Sequence, residues 1–376
     1  MTMPSAFTVQ TPEVATIRAL NYSPILKRFR KRRGKDTIRL GDVLASTVTG
    51  YGTVFARVDC DPSFGVELLS QTDAFASEPA GRVIRVDSMT RPERHRVKLW
   101  QILIAGVGTL AETELYGRAV IAESRLAGKH LSQDVLALTA TEPGSVESLY
   151  LYAFLCTPTG VSLMRSTSYG TKMLRLRRST VSEICVPDAS PTLKERVAKL
   201  VRTAAEQRGQ YLHEIREARR IIEALPEAEE ALSQCQDRKA RCSIASGPFT
   251  TIAARNHAAL GTARVLLAKL WKSRLADLLE QDGIYNGPRF ARTPCTKPYG
   301  IDFLDQRDVF AIRPVSRRIV EPRISKRQLY VPSHALIVAS HGQVVGRQSF
   351  RARRDGYVRA APVRDHTRYS ACVTET

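Results

Sequence analysis

The sequence predicts an α+β protein in which one unit occurs twice, the second time incompletely, with a long helix between the copies. Three observations lead there. One is an ungapped internal repeat, the second a helical stripe of apolar residues, and the third a set of short apolar strand candidates mixed with helical segments.

The repeat aligns Arg39 to Phe75 with Arg274 to Phe310, at a constant offset of 235 residues. Identical pairs are Arg39/Arg274, Leu40/Leu275, Asp42/Asp277, Leu44/Leu279, Gly52/Gly287, Phe55/Phe290, Ala56/Ala291, Arg57/Arg292 and Cys60/Cys295. Gly65/Gly300, Leu69/Leu304, Gln71/Gln306, Asp73/Asp308 and Phe75/Phe310 complete 14 of 37 positions. Phe64/Tyr299, Val66/Ile301 and Glu67/Asp302 are conservative. Beyond a small gap, Ile102 to Ala105 matches Leu336 to Ala339, and upstream Phe7-Thr8 matches Phe249-Thr250. A solenoid repeats every 20–50 residues, so this period means a duplicated domain. The second copy begins near Gln236 and has no counterpart of about Pro143 to Pro226, so it is expected to be incomplete.

The helix between the copies starts at Ser190-Pro191, an N-cap residue followed by a proline suited to the first helical position. Apolar or near-apolar residues recur at Leu193, Val197, Leu200, Ala204, Tyr211, Ile215, Ala218, Ile222 and Leu225, and Pro226 ends the pattern. This is a coiled-coil stripe with charges on the other faces. The expected organisation is a first domain over 1–189, a helix and linker over 190–235, and a partial second domain over 236–376.

Within the first domain, Val14 to Arg33 reads as helix broken near Pro24, with Ala253 to Glu280 as its counterpart. Arg82 to Val86, Leu99 to Ala105, Arg118 to Ala122 and Val135 to Leu138 read as strands, and Leu149 to Leu155 as a short aromatic helix. Pro143-Gly144, Pro158 to Gly160 and Pro187 mark turns.

Charge narrows the function. With 43% hydrophobic and 25% charged residues the chain is an ordinary globular protein, but its net charge of +20 calls for a polyanionic partner, usually nucleic acid. No apolar run reaches the ~20 residues of a membrane span, and Met1 to Gln10 lacks the pattern of a secretory signal. The seven cysteines are scattered without a C-x-x-C pair, which suits reduced thiols in a cytoplasmic protein. No metal-ligating histidine pattern occurs.

Ile102 to Ala111 imitates a strand and dinucleotide-binding glycine turn, with Glu123 downstream. The second copy replaces the first glycine by Ser340, and Gly117 interrupts the helix that should follow, so a tight turn with Gly108 and Gly342 at positive φ is expected instead. Asp42/Asp277 and Asp73/Asp308 are duplicated acids in apolar settings and read as caps or turn residues. No carboxylate cluster for a magnesium-dependent nuclease appears.

A series of segments resembles the specificity subunits of type I restriction–modification systems. Ile102 to Gly108 is similar to that family's strand and glycine turn, and Ser132-Gln133-Asp134-Val135 to its S-Q-H-V segment, with Asp134 in place of histidine. Tyr150 to Leu155 resembles its Y-L-Y-x-x-L helix, Gly170-Thr171 its G-[ST] loop, and Ile184-Cys185-Val186-Pro187 the strand and proline before its long helix. Asn21-Tyr22-Ser23-Pro24 resembles an aromatic–proline element of some members. The resemblance implies two target-recognition domains, each reading half of a split double-stranded DNA sequence, with spacer helices fixing the distance between halves. It implies no catalysis by this chain and no cofactor of its own. Adenine methyltransferase subunits and restriction–translocase subunits would dock on it, bringing S-adenosylmethionine, ATP and magnesium. The sequence departs from the family's pattern at its Arg-rich end, where no second spacer helix is expected.

The basic segment Ser168 to Arg178 is the leading DNA-binding candidate, through Gly170, Thr171, Lys172, Arg175, Arg177 and Arg178. Arg118, Lys129 and His130 are further candidates, and Lys27 to Lys35 is a basic run. Leu193, Val197, Leu200, Ile215 and Ile222 are the expected subunit-contact residues, and self-association through them is expected when the chain is alone. The alternatives are a basic RNA-binding protein, which the 7% aromatic content disfavours, and a degenerate specificity subunit without activity.

Overall fold

The computed structural model describes residues 36–45, 55–110, 115–171, 173–236, 275–279, 290–296, 298–313, 316–323, 330–331, 335–338, 348–350 and 357–358. Val14 to Arg33, nearly all of Ala253 to Glu280, and Gly342 lie outside them. The chain divides into two compact units, Met1–Gly209 with Gly287–Thr376, and Gln210–Asn286.

The fold is mixed. In chain order it opens with β1 (Thr37–Arg39), the single-turn helix α1 (Leu40–Val43), β2 (Gly65–Leu69), α2 (Gln71–Ala74), β3 (Arg82–Arg85), β4 (Ile102–Ala105), β5 (Val107–Gly108), β6 (Ala119–Ile121), β7 (His130–Leu131) and β8 (Val135–Leu138). There follow α3 (Val146–Leu155), α4 (Pro158–Arg165), β9 (Ser168–Tyr169), β10 (Leu174–Leu176), α5 (Arg178–Val181), β11 (Cys185–Pro187), α6 (Pro191–Glu223) and α7 (Pro226–Gln236). The last elements are β12 (Ile301–Leu304), α8 (Gln306–Val309), β13 (Arg317–Ile319), β14 (Leu336–Val338), β15 (Gln348–Phe350) and β16 (Tyr357–Val358).

The antiparallel sheet β6-β4-β8 organises the core. All residues of these three strands are buried, because both faces are covered. Ile102, Ile104, Ile121, Leu136 and Leu138 pack with Leu149, Leu155, Leu163 and Met164 of α3 and α4. Leu103, Val120 and Val135 on the other face pack with Leu69, Phe75, Leu126 and Leu131. This explains why I-L-I-A and V-L-A-L are continuous apolar runs rather than alternating ones.

The pairings of β2 and β3 recur in β12 and β13. Val66↔Ile84, Glu67↔Val83 and Leu68↔Arg82 correspond at the offset of 235 to Ile301↔Ile319, Asp302↔Arg318 and Phe303↔Arg317. A third, parallel strand joins each: Leu68↔His130 beside β2 and Phe303↔Tyr357 beside β12. The β4–β6 pairing Ile102↔Ile121 likewise recurs as Leu336↔Phe350. Asp73 and Asp308 are caps, as expected. Ser70 Oγ accepts from the Asp73 amide while Asp73 accepts from the Ser70 amide. Asp305 and Asp308 make the same reciprocal pair. The equivalence also runs past Phe75, through Ala76/Ala311, Pro79/Pro314, Arg82/Arg317 and Ile84/Ile319, which the sequence alignment did not reach.

Helix α6 is continuous over Pro191–Glu223, and α7 begins at Pro226. Its first half packs on the core through Ala198 and Ala205, each 1% exposed, with Val201 between them. Lys194 ties its first turn down, at 2.9 Å from Glu147 and 2.6 Å from Asp188, and Arg202 donates to the Gly144 carbonyl. The stripe expected to seek a helical partner therefore differs from the face that packs on the domain. Leu193, Leu200 and Ile222 are exposed, and Val197 and Ile215 half-buried.

One expectation about turns is corrected. Gly108 does not have positive φ. A Cβ there would sit 2.9 Å from the Tyr116 Cβ, so glycine is required by the close approach of that buried ring.

Candidate nucleic-acid interface

The leading segment folds as a hairpin. β10 is the middle strand of β5-β10-β9, with Leu174↔Gly108 and Arg175↔Val107 on one side and Arg175↔Tyr169 on the other. Alternation sorts the side chains. Leu174 and Leu176 enter the core, and Ser168 shares a 2.6 Å hydrogen bond with the buried Tyr116 hydroxyl. Tyr169 and Arg175 are cross-strand partners on the opposite face, and the Arg177 guanidinium lies 5.7 Å from the Tyr169 ring centroid.

Gly170 makes the turn possible. Its φ is +97°, and a Cβ would come within 2.5 Å of the Met173 carbonyl oxygen. Thr171 and Met173 are exposed at the tip, while Lys172 lies outside the described residues. Arg178 opens α5 and is half-buried. Among the described residues no ion pair engages Arg175 or Arg177, so the hairpin offers an aromatic ring flanked by two uncompensated guanidinium groups. Such a face can donate to phosphates and base edges and can stack.

Three further candidates are corrected by their burial. Lys129 Nζ is held by Glu67 at 2.9 Å and by the Pro79 carbonyl at 2.9 Å. His130 is 7% exposed within β7, and burial, then Arg96 and His95, keep its imidazole below the ordinary histidine pKa. Arg118 is half-buried, with burial and then the neighbouring Arg313 lowering its pKa. None of the three presents a free cation to a ligand. Glu123, of the dinucleotide-like stretch, is buried in an ion pair with Arg125.

Among the described residues no group of three or more metal-ligating side chains occurs, and no helix is long and apolar enough to cross a membrane.

No protein-family model matches the chain, and no curated protein matches it in sequence. Solved structures do resemble it. The S subunit of a type I restriction–modification system from M. genitalium matches with 12% identity and a TM-score of 0.31, over 86% of this chain and 70% of that one. The HsdS subunit from Thermoanaerobacter tengcongensis matches with 13% identity and a TM-score of 0.30, over 86% and 73%. A chain from a structure on complex assembly and conformational transition of the type I R-M system matches with 15% identity and a TM-score of 0.28, over 76% and 65%. These scores lie below those of a shared fold.

Proposed function

We propose that this chain is a DNA-recognition protein of the type I specificity kind, binding double-stranded DNA in a sequence-dependent way and catalysing nothing itself. The observation that carries the reading is the β9–β10 hairpin face, where Tyr169, Arg175 and Arg177 stand together. The net charge of +20 supplies the general attraction to a polyanion. The ordered segments from Ile102 to Pro187 and the repeated pairings of β2–β3 and β4–β6 support two target-recognition domains, each addressing half of a split site.

In this reading the outward stripe of α6, with Leu193, Val197, Leu200, Ile215 and Ile222, is where other subunits dock. Adenine methyltransferase subunits and restriction–translocase subunits are its partners in a complex. In their absence a second copy of this chain covers the stripe.

The test is competition binding with labelled duplex DNA against unlabelled duplex and unlabelled single-stranded RNA. Duplex competes at far lower concentration in this reading. Preferential displacement by single-stranded RNA would replace it with RNA binding.

A further inference from the structure

The segment Arg91 to Lys98 belongs to none of the motifs and lies outside the repeat. Pro92–Arg94 is a 3-10 turn whose N-cap, Arg91, is left-handed at φ 56°. Trp100, just beyond, has φ 63°. Only one other described residue besides glycine has positive φ, so this short segment is bracketed by two costly backbone conformations.

The chain is then held as an edge against β7. Arg96 bridges His130, Leu131 N–H donates to the His95 carbonyl at 2.8 Å, and Val97 N–H donates to the Lys129 carbonyl at 2.7 Å. His95 and Val97 turn inward, with 5% and 2% exposure. The His95 ring is fixed by Leu131 O at 3.0 Å and by edge contact with Phe55. Arg91, Arg94, Arg96 and Lys98 are therefore all turned out to solvent. Arg96 and Lys98 follow at the two-residue repeat of extended chain, about 6.6 Å apart.

These four cations crowd one short segment, with the exposed Glu93 among them and, within the described residues, no ion pair drawn to it. Elsewhere Arg39 pairs with Glu183, Arg82 with Asp59, Arg85 with Asp87 and half-buried Arg318 with Asp302, whereas Arg57, Arg196 and Lys199 are exposed without an ion pair among the described residues. Among the described residues, Arg91, Arg94, Arg96 and Lys98 have no ion-pair partner. Arg96 and Lys98 also line a cleft of about 520 Å3 with Glu93, Leu99 and Gly128.

We infer that this edge is a phosphate-contacting track for duplex DNA, separate from the β9–β10 hairpin and indifferent to base sequence. The inference rests on the DNA-binding reading above. Each strand of duplex DNA carries one phosphate per ~3.4 Å of helix axis, a density of negative charge that a row of cations about 6.6 Å apart can meet. The backbone that carries these cations is fixed against β7, and their exposed side chains are left to reach the phosphates. Base reading is left to the hairpin.

The test uses the full chain and two duplexes of unrelated sequence, with affinity measured across a salt series. The variant R91Q/R94Q/R96Q/K98Q is compared with R39Q/R82Q/R85Q/R318Q, which removes equal charge from paired positions, and melting temperature checks that each folds. The track variant should lose affinity for both duplexes alike, by roughly 100-fold or more at 0.1 M salt. Its log–log salt slope should fall by about 3 to 4. The charge-matched control should change far less. Equal losses in the two variants, or an unchanged affinity and slope in the folded track variant, would overturn the track while leaving DNA recognition intact. Loss confined to one duplex would overturn it too, since that is base reading. Failure of the unaltered chain to bind either duplex would instead remove the DNA-recognition reading, and the track with it.

Discussion

Ala76 and Ala311 pair across an antiparallel bridge, and they hold the same position in the two copies of the repeat. Ser77 N–H donates to the Phe310 carbonyl at 3.1 Å, and Ile312 N–H donates to the Phe75 carbonyl at 3.0 Å. Both bonds link equivalent residues in opposite directions, so the contact has a local two-fold character, like an isologous interface built within one chain. Ile312 packs against the core beside the central sheet, and Arg313 donates to the Ala119 carbonyl and lies over the Tyr152 ring.

Arg125 supports that bridge. It is buried in an ion pair with Glu123, and its Nη1 donates to the Ser77 carbonyl at 2.7 Å. R125M leaves the Glu123 carboxylate buried without a partner and should destabilise the fold by about 3–5 kcal/mol. The double variant R125M/E123M should recover much of that loss. Urea unfolding of both variants measures it, and equal stability of the two would show that the pair is not coupled.

The caps make a pH prediction. Burial, opposed by the Asp305 backbone hydrogen bond, pushes the Asp308 carboxyl up to about 6 from an ordinary 3.8. A carboxyl raised on folding favours the folded state in its protonated form. Its contribution is fully present below pH 3.8 and is lost as pH rises through about 6. D308N keeps an oxygen for the Asp305 amide and has nothing to ionise. The difference in urea midpoint between D308N and the unaltered chain should therefore shift in favour of D308N between pH 4 and pH 7.

The two faces of α6 should respond oppositely to substitution. Ala198 and Ala205 are buried to 1% exposure, and leucine at either site overfills the packing at a cost of about 1–3 kcal/mol. Leu200 is 64% exposed, and L200A should change monomer stability by less than about 0.5 kcal/mol. Light scattering of L200E/I215E/I222E tests the other role of that face. The unaltered chain alone should be larger than a monomer at micromolar concentration, and this variant should shift to monomer.

Gly170 is the hairpin's weak point. G170A forces a Cβ against the Met173 carbonyl at a left-handed φ, a strain of about 1–3 kcal/mol. Duplex affinity should fall while the core melts nearly as before, because Leu174 and Leu176 still anchor β10. An unchanged affinity would mean the tip does not touch DNA.

Much of this was legible in the sequence for local reasons. Continuous apolar runs mark β4 and β8, the aromatic stretch marks α3, and the apolar settings of the duplicated acids mark Asp73 and Asp308 as cap or turn residues. What failed was exposure, which depends on partners far away in the chain. Lys129 reads as a loop cation until Glu67 comes beside it, and His130 until β2 covers it. Periodicity found the apolar stripe of α6 but missed that alanines, not leucines, pack on the domain, because small residues carry little hydrophobic signal. The Arg91 to Lys98 edge has no sequence signature because its cations alternate with His95 and Val97, and only pairing to β7 fixes which side is free.

The central claim is sequence-dependent reading of duplex DNA through the β9–β10 hairpin. Selection of bound molecules from a random duplex pool, by the unaltered chain and by R175A/R177A, tests it most directly. The unaltered chain should enrich a defined motif, and the variant should bind duplex more weakly and lose specific positions of that motif, each worth about 1–3 kcal/mol. Enrichment of no motif, or of the same motif by the variant, would contradict it.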